Sequence, residues 1–345
     1  VVTLFSDDFA EPILVNLQSL TPIQNEQGSS QALIRGMAAA RVNSGKPVAG
    51  FSGVIHSTCR PGTGLSTSAA FSVLVGGIFA LLCGDENIDP VQLARDGQYA
   101  ENDFFGKPCG LMDQLSSSGG TTLGIDFKIP ENPDITRIAF QPENSGYQLV
   151  VIDTGGCHVN LTPEYTAVTE EMAEAAAVLN REKARGISLE TVLDQISELR
   201  AEAGDRAVLR LMHFILEDER AAFQIKALQD NDFKQFLTLV KESGASSCNL
   251  LQNCSTSLNS REQGIMLARA LSEQVFPDSV CRVHGGGFAG TVQAYIPTHQ
   301  FDAYRAFMVR IFGSGSVIPV RIGRPGFCAF TENGWLFPDI KSLKS

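Results

Sequence analysis

Several things are scarce in this sequence of 345 residues, and each scarcity excludes something. Positive charge is short: 27 Lys and Arg against 38 Asp and Glu leave a formal net charge of −11. That balance argues against a general nucleic-acid binder and against a protein held to anionic membranes, although local basic patches stay open. Apolar runs are short as well. The longest, from Ala69 to Cys83, is interrupted by Ser72 and by Gly76-Gly77 and is too short to span a bilayer comfortably. No basic segment followed by an apolar one opens the chain, so no secretory leader is expected. The eight cysteines are scattered, with no CxxC pair and none at zinc-ligand spacing from a histidine. They read as reduced, incidental thiols of a cytoplasmic protein.

What is present fits a folded enzyme. A hydrophobic fraction of 43% and a charged fraction of 19% exclude a disordered chain, and the length suggests about two domains. The first part alternates strand and helix signals: a β-branched strand over 1–6, a helix capped by Ser30 over 30–42, and a half-buried strand over 48–57. A long apolar helix then runs to residue 82. Asp89-Pro90 predicts a helix start, with the helix running to residue 104, and a short helix carries Met112 and Leu115 before Gly119-Gly120. Strands are expected over 121–127 and 135–140, and a domain junction over 141–146, giving domains 1–145 and 146–345. The second domain reads as helix-heavy at first, over 162–185, 188–203, 207–229, 232–243 and 260–273. Strands follow at its end, over 279–284, 291–297 and 317–322. The fold class is α+β.

Three segments carry chemistry. In Pro61-Gly-Thr-Gly-Leu-Ser-Thr-Ser-Ala-Ala70, two glycines let the backbone approach an anion and three hydroxyl residues follow at a helix start. No Gly-Lys-Ser/Thr follows, so this is no Walker A loop. An ordinary loop before a Ser-capped helix has the same composition, and both readings stand. The second segment is His284-Gly-Gly-Gly-Phe-Ala-Gly290, a tight turn between strands or a binding loop. Recurrence of such clusters in both halves favours a shared site. The third runs from Glu101 to Gln114, with carboxylates at the end of one helix and the start of the next. Such a pair suits a cation and an attacking hydroxyl, or simply a solvated helix and a dipole-complementing charge.

Taken together these segments resemble the motifs of the GHMP small-molecule kinases, and among them the galactokinase family. The family's Gly-Leu-Ser-Ser-Ser-Ala motif, preceded by a proline, resembles Pro61 to Ala70 with Thr67 for one Ser. Its Gly-Gly-Gly-Phe-Gly-Gly loop resembles Gly285 to Gly290 with Ala289 for one Gly. Its Glu-x-x-Phe-x-Gly-x-x-Cys-Gly-Ile-Met-Asp-Gln stretch resembles Glu101 to Gln114 with Leu111 for Ile. Weaker echoes are Tyr165 ahead of a long helix, and Glu242-Ser243 with Gly244 in place of a family His. The resemblance implies a ribosomal-S5-like first domain and a second α+β domain with a ferredoxin-like core.

It also implies roles. Gly62, Thr63, Gly64, Leu65, Ser66, Thr67 and Ser68 wrap the phosphates of ATP, and Ser68 and Glu101 hold Mg²⁺. Asp113 is the catalytic base; Gly110, Asp113 and Tyr165 hold the sugar; Gly285, Gly286 and Gly287 line the cleft. The implied activity is ATP-dependent phosphorylation of galactose at its C1 hydroxyl. The alternatives are a kinase of another sugar, such as N-acetylgalactosamine or arabinose, and a catalytically silent regulator on the same fold. The small-molecule partners are the sugar and ATP, with no nucleic acid or membrane. The family's first motif, Gly-Arg-x-x-x-x-Gly-x-His-x-Asp, is not found, and the expectation is a chain lacking the front of that first domain. The role of His284 stays open, with a turn favoured over nucleotide contact.

Overall fold

The computed structural model describes all residues except 8–9, 60–63, 86, 157–160, 257, 323–325 and 339–345. The chain divides into two units, Val1–Arg137 with Gly323–Ser345, and Ile138–Ile322.

The first unit opens on β1 (Val2–Ser6), whose alternate residues Val2 and Leu4 are buried. β1 pairs antiparallel with β2 (Ile13–Val15) and parallel with β3 (Ser52–Ile55). Between β2 and β3 runs α1 (Ser30–Asn43). Its cap is Ser29 and not the expected Ser30: Ser29 has extended backbone and its Oγ accepts from the Ala32 N–H at 3.4 Å. Helix α2 (Thr67–Leu82) is followed by α3 (Pro90–Tyr99), which starts where Asp89-Pro90 places it. The Asp89 carboxylate accepts from the Val91 N–H at 2.9 Å. The helix continues as a π-helical segment (Ala100–Phe105), then α4 (Met112–Gly119) ends at Gly120, whose φ of 63° is left-handed. β4 (Thr122–Asp126) and β5 (Asp134–Ile138) form a small sheet. The core joins Val2, Leu4 and Val15 of the sheet to Met37 of α1 and Val73 and Phe79 of α2. Each fully buried side chain of this size contributes about 1.5–3 kcal/mol.

The second unit is built on β6 (Tyr147–Asp153), β7 (Val280–Val283), β8 (Thr291–Pro297) and β9 (Val317–Val320). The order is β7-β8-β6-β9, antiparallel throughout. The intervening helices are α5 (Thr162–Val178), α6 (Leu189–Asp194), α7 (Ile196–Glu202) and α8 (Asp205–Gln229). Then come α9 (Phe233–Ser246), a π-helical segment (Ser247–Leu251), and α10 (Gly264–Val275) before β7. α11 (Phe301–Phe312) lies between β8 and β9. Strand periodicity sorts the sheet residues. Val150, Ile152, Ala294 and Ile296 pack with Ile265, Ala268, Tyr304 and Met308. The neighbouring positions Leu149 and Tyr295 pack with Phe236 and Val240 of α9.

Five expectations change. α5 stops at Val178, short of 185, because Asn180 turns left-handed (φ 56°) and the Arg181 N–H bonds the Ala176 carbonyl at 2.9 Å. The helix expected over 188–203 breaks at Gln195, whose φ of −110° and ψ of 19° are not helical. α11 was not foreseen. The chain's last segment, expected in the second domain, belongs to the first unit. There β10 (Ala329–Thr331) and β11 (Gly334–Leu336) form a hairpin, and Phe327 joins the core of Val2 and Phe79. A Cβ on Gly77 would sit 2.1 Å from the Phe327 ring. The division at residues 137 and 138 also precedes the expected junction by a few residues. Among the described residues no helix is long and apolar enough to cross a membrane.

Candidate functional site

Helix α2 starts from strained backbone. Gly64 and Ser66 are left-handed, at φ 72° and 53°, and for a non-glycine such as Ser66 this costs about 1–2 kcal/mol. Ser66 occupies the cap position but supplies no side-chain hydrogen bond to the first turn. An uncapped first turn with the positive end of the dipole behind it suits an anion. This disfavours the ordinary Ser-capped start. Gly64 is exposed and Leu65, Ser66, Thr67 and Ser68 are half-buried. Gly62 and Thr63, with Pro61, lie outside the described residues.

In the same unit, Glu101 sits in the first turn of the π-helical segment and is 2% exposed. Its Oε1 is buried and makes no hydrogen bond. Cys109 lies beside it: burial, and then the charge of Glu101, push that thiol up to about 11. The loop leading to α4 is tied at Cys109. The Asn102 Oδ1 accepts from its N–H at 2.7 Å, the Gln98 Nε2 donates to its carbonyl at 3.1 Å, and the Gln114 Nε2 lies 3.5 Å from its Sγ. This binding fixes where α4 begins, and so where Asp113 stands, half-buried in its first turn. Gly110 is exposed, and a Cβ there would meet nothing within 4 Å. Gln98 and Asn102 were not singled out by sequence reasoning, although Gln98 lies about one helical turn before Glu101 and Asn102 directly follows it.

In the second unit, residues 285–290 connect β7 to β8. Tyr165, in the first turn of α5, donates its hydroxyl to the Gly287 carbonyl at 3.0 Å, and its ring meets Phe288 edge-on at 5.4 Å. Burial raises its phenol above the ordinary range. Thr154 donates its Oγ1 to the Gly290 carbonyl at 2.6 Å, and the Asn253 Nδ2 donates to that of Gly286 at 3.0 Å. Thr154 and Asn253 escaped sequence reasoning, because neither lies in a motif and their partners are far along the chain. His284 belongs to the strand end: its N–H donates to the Thr291 carbonyl at 3.0 Å and its Nδ1 is 3.2 Å from the Gln293 Oε1. In the family's Glu-Ser-His segment, Gly244 replaces His where α9 meets β7, and a Cβ there would lie 3.0 Å from the Cys281 carbonyl. An open cavity of about 650 Å³ borders the loop, lined by Thr154, Leu161, Thr256, Arg261, Phe288 and Ala289 among others.

Residues 32–121 match the family model described as the GHMP kinases N terminal domain. The chain is 32% identical to a galactokinase of Mycobacterium tuberculosis over 263 residues, covering 74% of this chain and 67% of that protein. It is 28% identical to a galactokinase of Actinobacillus pleuropneumoniae over 243 residues, which is 70% of this chain. There the chain spans only 60% of the relative's length. Among solved structures, galactokinase of Lactococcus lactis complexed with galactose superposes with a TM-score of 0.77 at 20% identity, covering 93% of this chain and 82% of that one. A mevalonate kinase of Methanococcus jannaschii superposes at 0.56 with 12% identity, covering 94% and 85%. These likenesses establish the fold.

Proposed function

The chain belongs to the GHMP kinases, within the galactokinases, and from that premise we propose that the protein transfers the γ-phosphoryl group of ATP to the C1 hydroxyl of galactose. The observation that carries the reading is Glu101, a carboxylate 2% exposed whose Oε1 has no hydrogen-bond partner. A buried charge left this way is costly until a cation answers it. Ser68 and Glu101 offer the hard oxygen ligands that suit Mg²⁺, which keeps several waters and takes phosphate oxygens for the rest. When bound, Mg²⁺ supplies charge neutralisation at the phosphates.

The chain's own residues do the remainder. The first-turn amides of α2, around Thr67 and Ser68, receive phosphate oxygens. Asp113 takes the proton of the C1 hydroxyl as that oxygen attacks the γ-phosphorus and the bond to ADP breaks. Tyr165 gives its hydroxyl proton to Gly287, so toward a sugar hydroxyl it acts as an acceptor.

A coupled assay of the full-length protein with ATP, Mg²⁺ and a sugar panel tests this. Turnover is expected with galactose, and a panel that shows none with galactose sinks the reading. Preference for N-acetylgalactosamine or arabinose would move the substrate, and binding without turnover would make the protein a regulator. Asp113→Asn is expected to lower kcat on the order of 10²–10⁴-fold while calorimetry still detects ATP binding. Unchanged kcat would remove Asp113 from its role.

A further inference from the structure

The loop between β7 and β8 is held in a conformation it has little reason to keep by itself. Gly285, Gly287 and Gly290 have φ of 67°, 82° and 91°, and Phe288 joins them at 62°. Gly285 and Gly286 are exposed, so burial does not fix them. Thr154 binds the loop's far end, at Gly290, and Tyr165 binds the carbonyl of Gly287. Asn253 grips both sides of the middle glycine. Its Nδ2 donates to the Gly286 carbonyl at 3.0 Å, and its own carbonyl accepts the Phe288 N–H at 2.5 Å. These bonds flank Gly287 and set both of its dihedrals. The approach is so close that a Cβ on Gly287 would lie 2.1 Å from the Asn253 carbonyl oxygen and 2.7 Å from its Nδ2.

Asn253 is itself firmly presented. Gln252 closes the π-helical segment in left-handed backbone at φ 61°, with its N–H on the Ser247 carbonyl at 2.8 Å. The asparagine that follows is 4% exposed, and its Oδ1 has no partner. An amide that leaves its acceptor unmatched while spending its donor on a loop carbonyl is placed for that donor. We infer that Asn253 is the positioning residue of the glycine loop, holding the peptide groups around Gly287 in the arrangement that phosphoryl transfer uses. The inference rests on the reading of the loop as part of the kinase site.

The chemistry of the amide makes it testable. In Asn253→Ala the backbone bond to Phe288 stays and the side-chain bond is lost. In Asn253→Asp an acceptor replaces the donor and faces the Gly286 carbonyl, so the loop is repelled. Amide hydrogen exchange of residues 284–291 is measured in the ligand-free protein for wild type and both variants, with kcat and KM alongside. Exchange at Gly287 and Phe288 is expected to quicken about tenfold or more, and more in Asn253→Asp, while α8 and β8 keep their rates. The kcat is expected to fall roughly ten- to a hundredfold with the KM for ATP changed far less. Unchanged loop exchange in both variants overturns the inference, as does quickened loop exchange with unchanged kcat. Exchange that quickens throughout the second unit in both variants also overturns it, by making Asn253 a stability residue only. If the wild type phosphorylates no sugar while the loop alone loosens, the grip of Asn253 stands and the proposed activity falls.

Discussion

Two glycine-containing segments look alike in sequence and are built in opposite ways. The one before α2 reaches its helix through Gly64 and a strained Ser66, and Ser66 provides no side-chain cap for the first turn. The one between β7 and β8 has its carbonyls bound from outside by Asn253, Tyr165 and Thr154. Glycine allows left-handed backbone in both places. What differs is the side-chain hydrogen bonding: Ser66 supplies none to the first turn of α2, whereas three side chains bind the carbonyls of the second segment. Composition reports the freedom of the chain and is silent about what removes it.

The sharpest break of this comparison uses its two non-glycine left-handed residues, Ser66 at φ 53° and Phe288 at 62°. Replacing either with glycine relieves the same backbone strain. Phe288 is 2% exposed and stacks edge-on against Tyr165, so Phe288→Gly is expected to lose about 3–5 kcal/mol of stability, as buried phenyl deletions do. Ser66→Gly has no comparable packing to lose and is expected to gain up to about 1 kcal/mol without ligand. Denaturant melts of the two variants check the opposite signs. A loss in both would mean that the α2 start is also held by its own side chains.

Smaller is the pair Gly287→Ala and Gly64→Ala. Both add a methyl group at positive φ, which costs about 1–2 kcal/mol. At Gly287 the methyl also meets the Asn253 carbonyl at 2.1 Å, so a loss well above that range is expected there. Thermal melts decide it. Equal losses would say that the glycine loop yields as easily as the segment before α2 and would weaken the contrast.

How much of this was readable before the structure follows from the reach of each signal. Asp89-Pro90 and Gly120 act within one turn, and they placed α3 and the end of α4. The apolar runs over Tyr147–Asp153 and Thr291–Pro297 are packed on both faces, and those strands came where expected. Ser29 and Ser30 are chemically the same, so composition alone does not choose the cap. Glu332-Asn333 is the two-residue turn that joins β10 to β11, but its flanking strands are three residues each and give little period to detect. Phe327 shares a buried cluster with Val2, from the other end of the chain, which is invisible to any window. The candidate site was legible where a motif holds several residues together, as in Glu101 to Gln114. Asn253 acts on a carbonyl 33 residues away, and no local pattern marks it. Tyr165 was noticed, yet only coordinates show that its proton goes to Gly287.

The smallest expected effect is a pH dependence that separates the two segments by the units that carry them. His213 on α8 is 8% exposed, and its Nδ1 lies 2.9 Å from the Ser246 Oγ, at the end of the helix that leads to Asn253. Burial lowers its pKa below the ordinary 6.5; Glu217 opposes this, and Arg282 and Arg220 reinforce it. Above pH 6.5 the ring is neutral folded and unfolded, so it contributes no pH dependence. As the pH falls below 6.5 the unfolded chain takes up a proton that the folded chain refuses, and stability drops by at most about 1.4 kcal/mol per pH unit. In the first unit, burial raises the carboxyl of Asp96, against the hydrogen bond from Gln92. The sign there is opposite: the folded state holds its proton more tightly, so stability rises as the pH falls through the folded pKa. Hydrogen exchange between pH 7 and pH 5.5 should therefore loosen the second unit, with its glycine loop, before the first. His213→Gln should flatten that acid limb, and a limb of unchanged slope in this variant would assign the acid sensitivity to other groups.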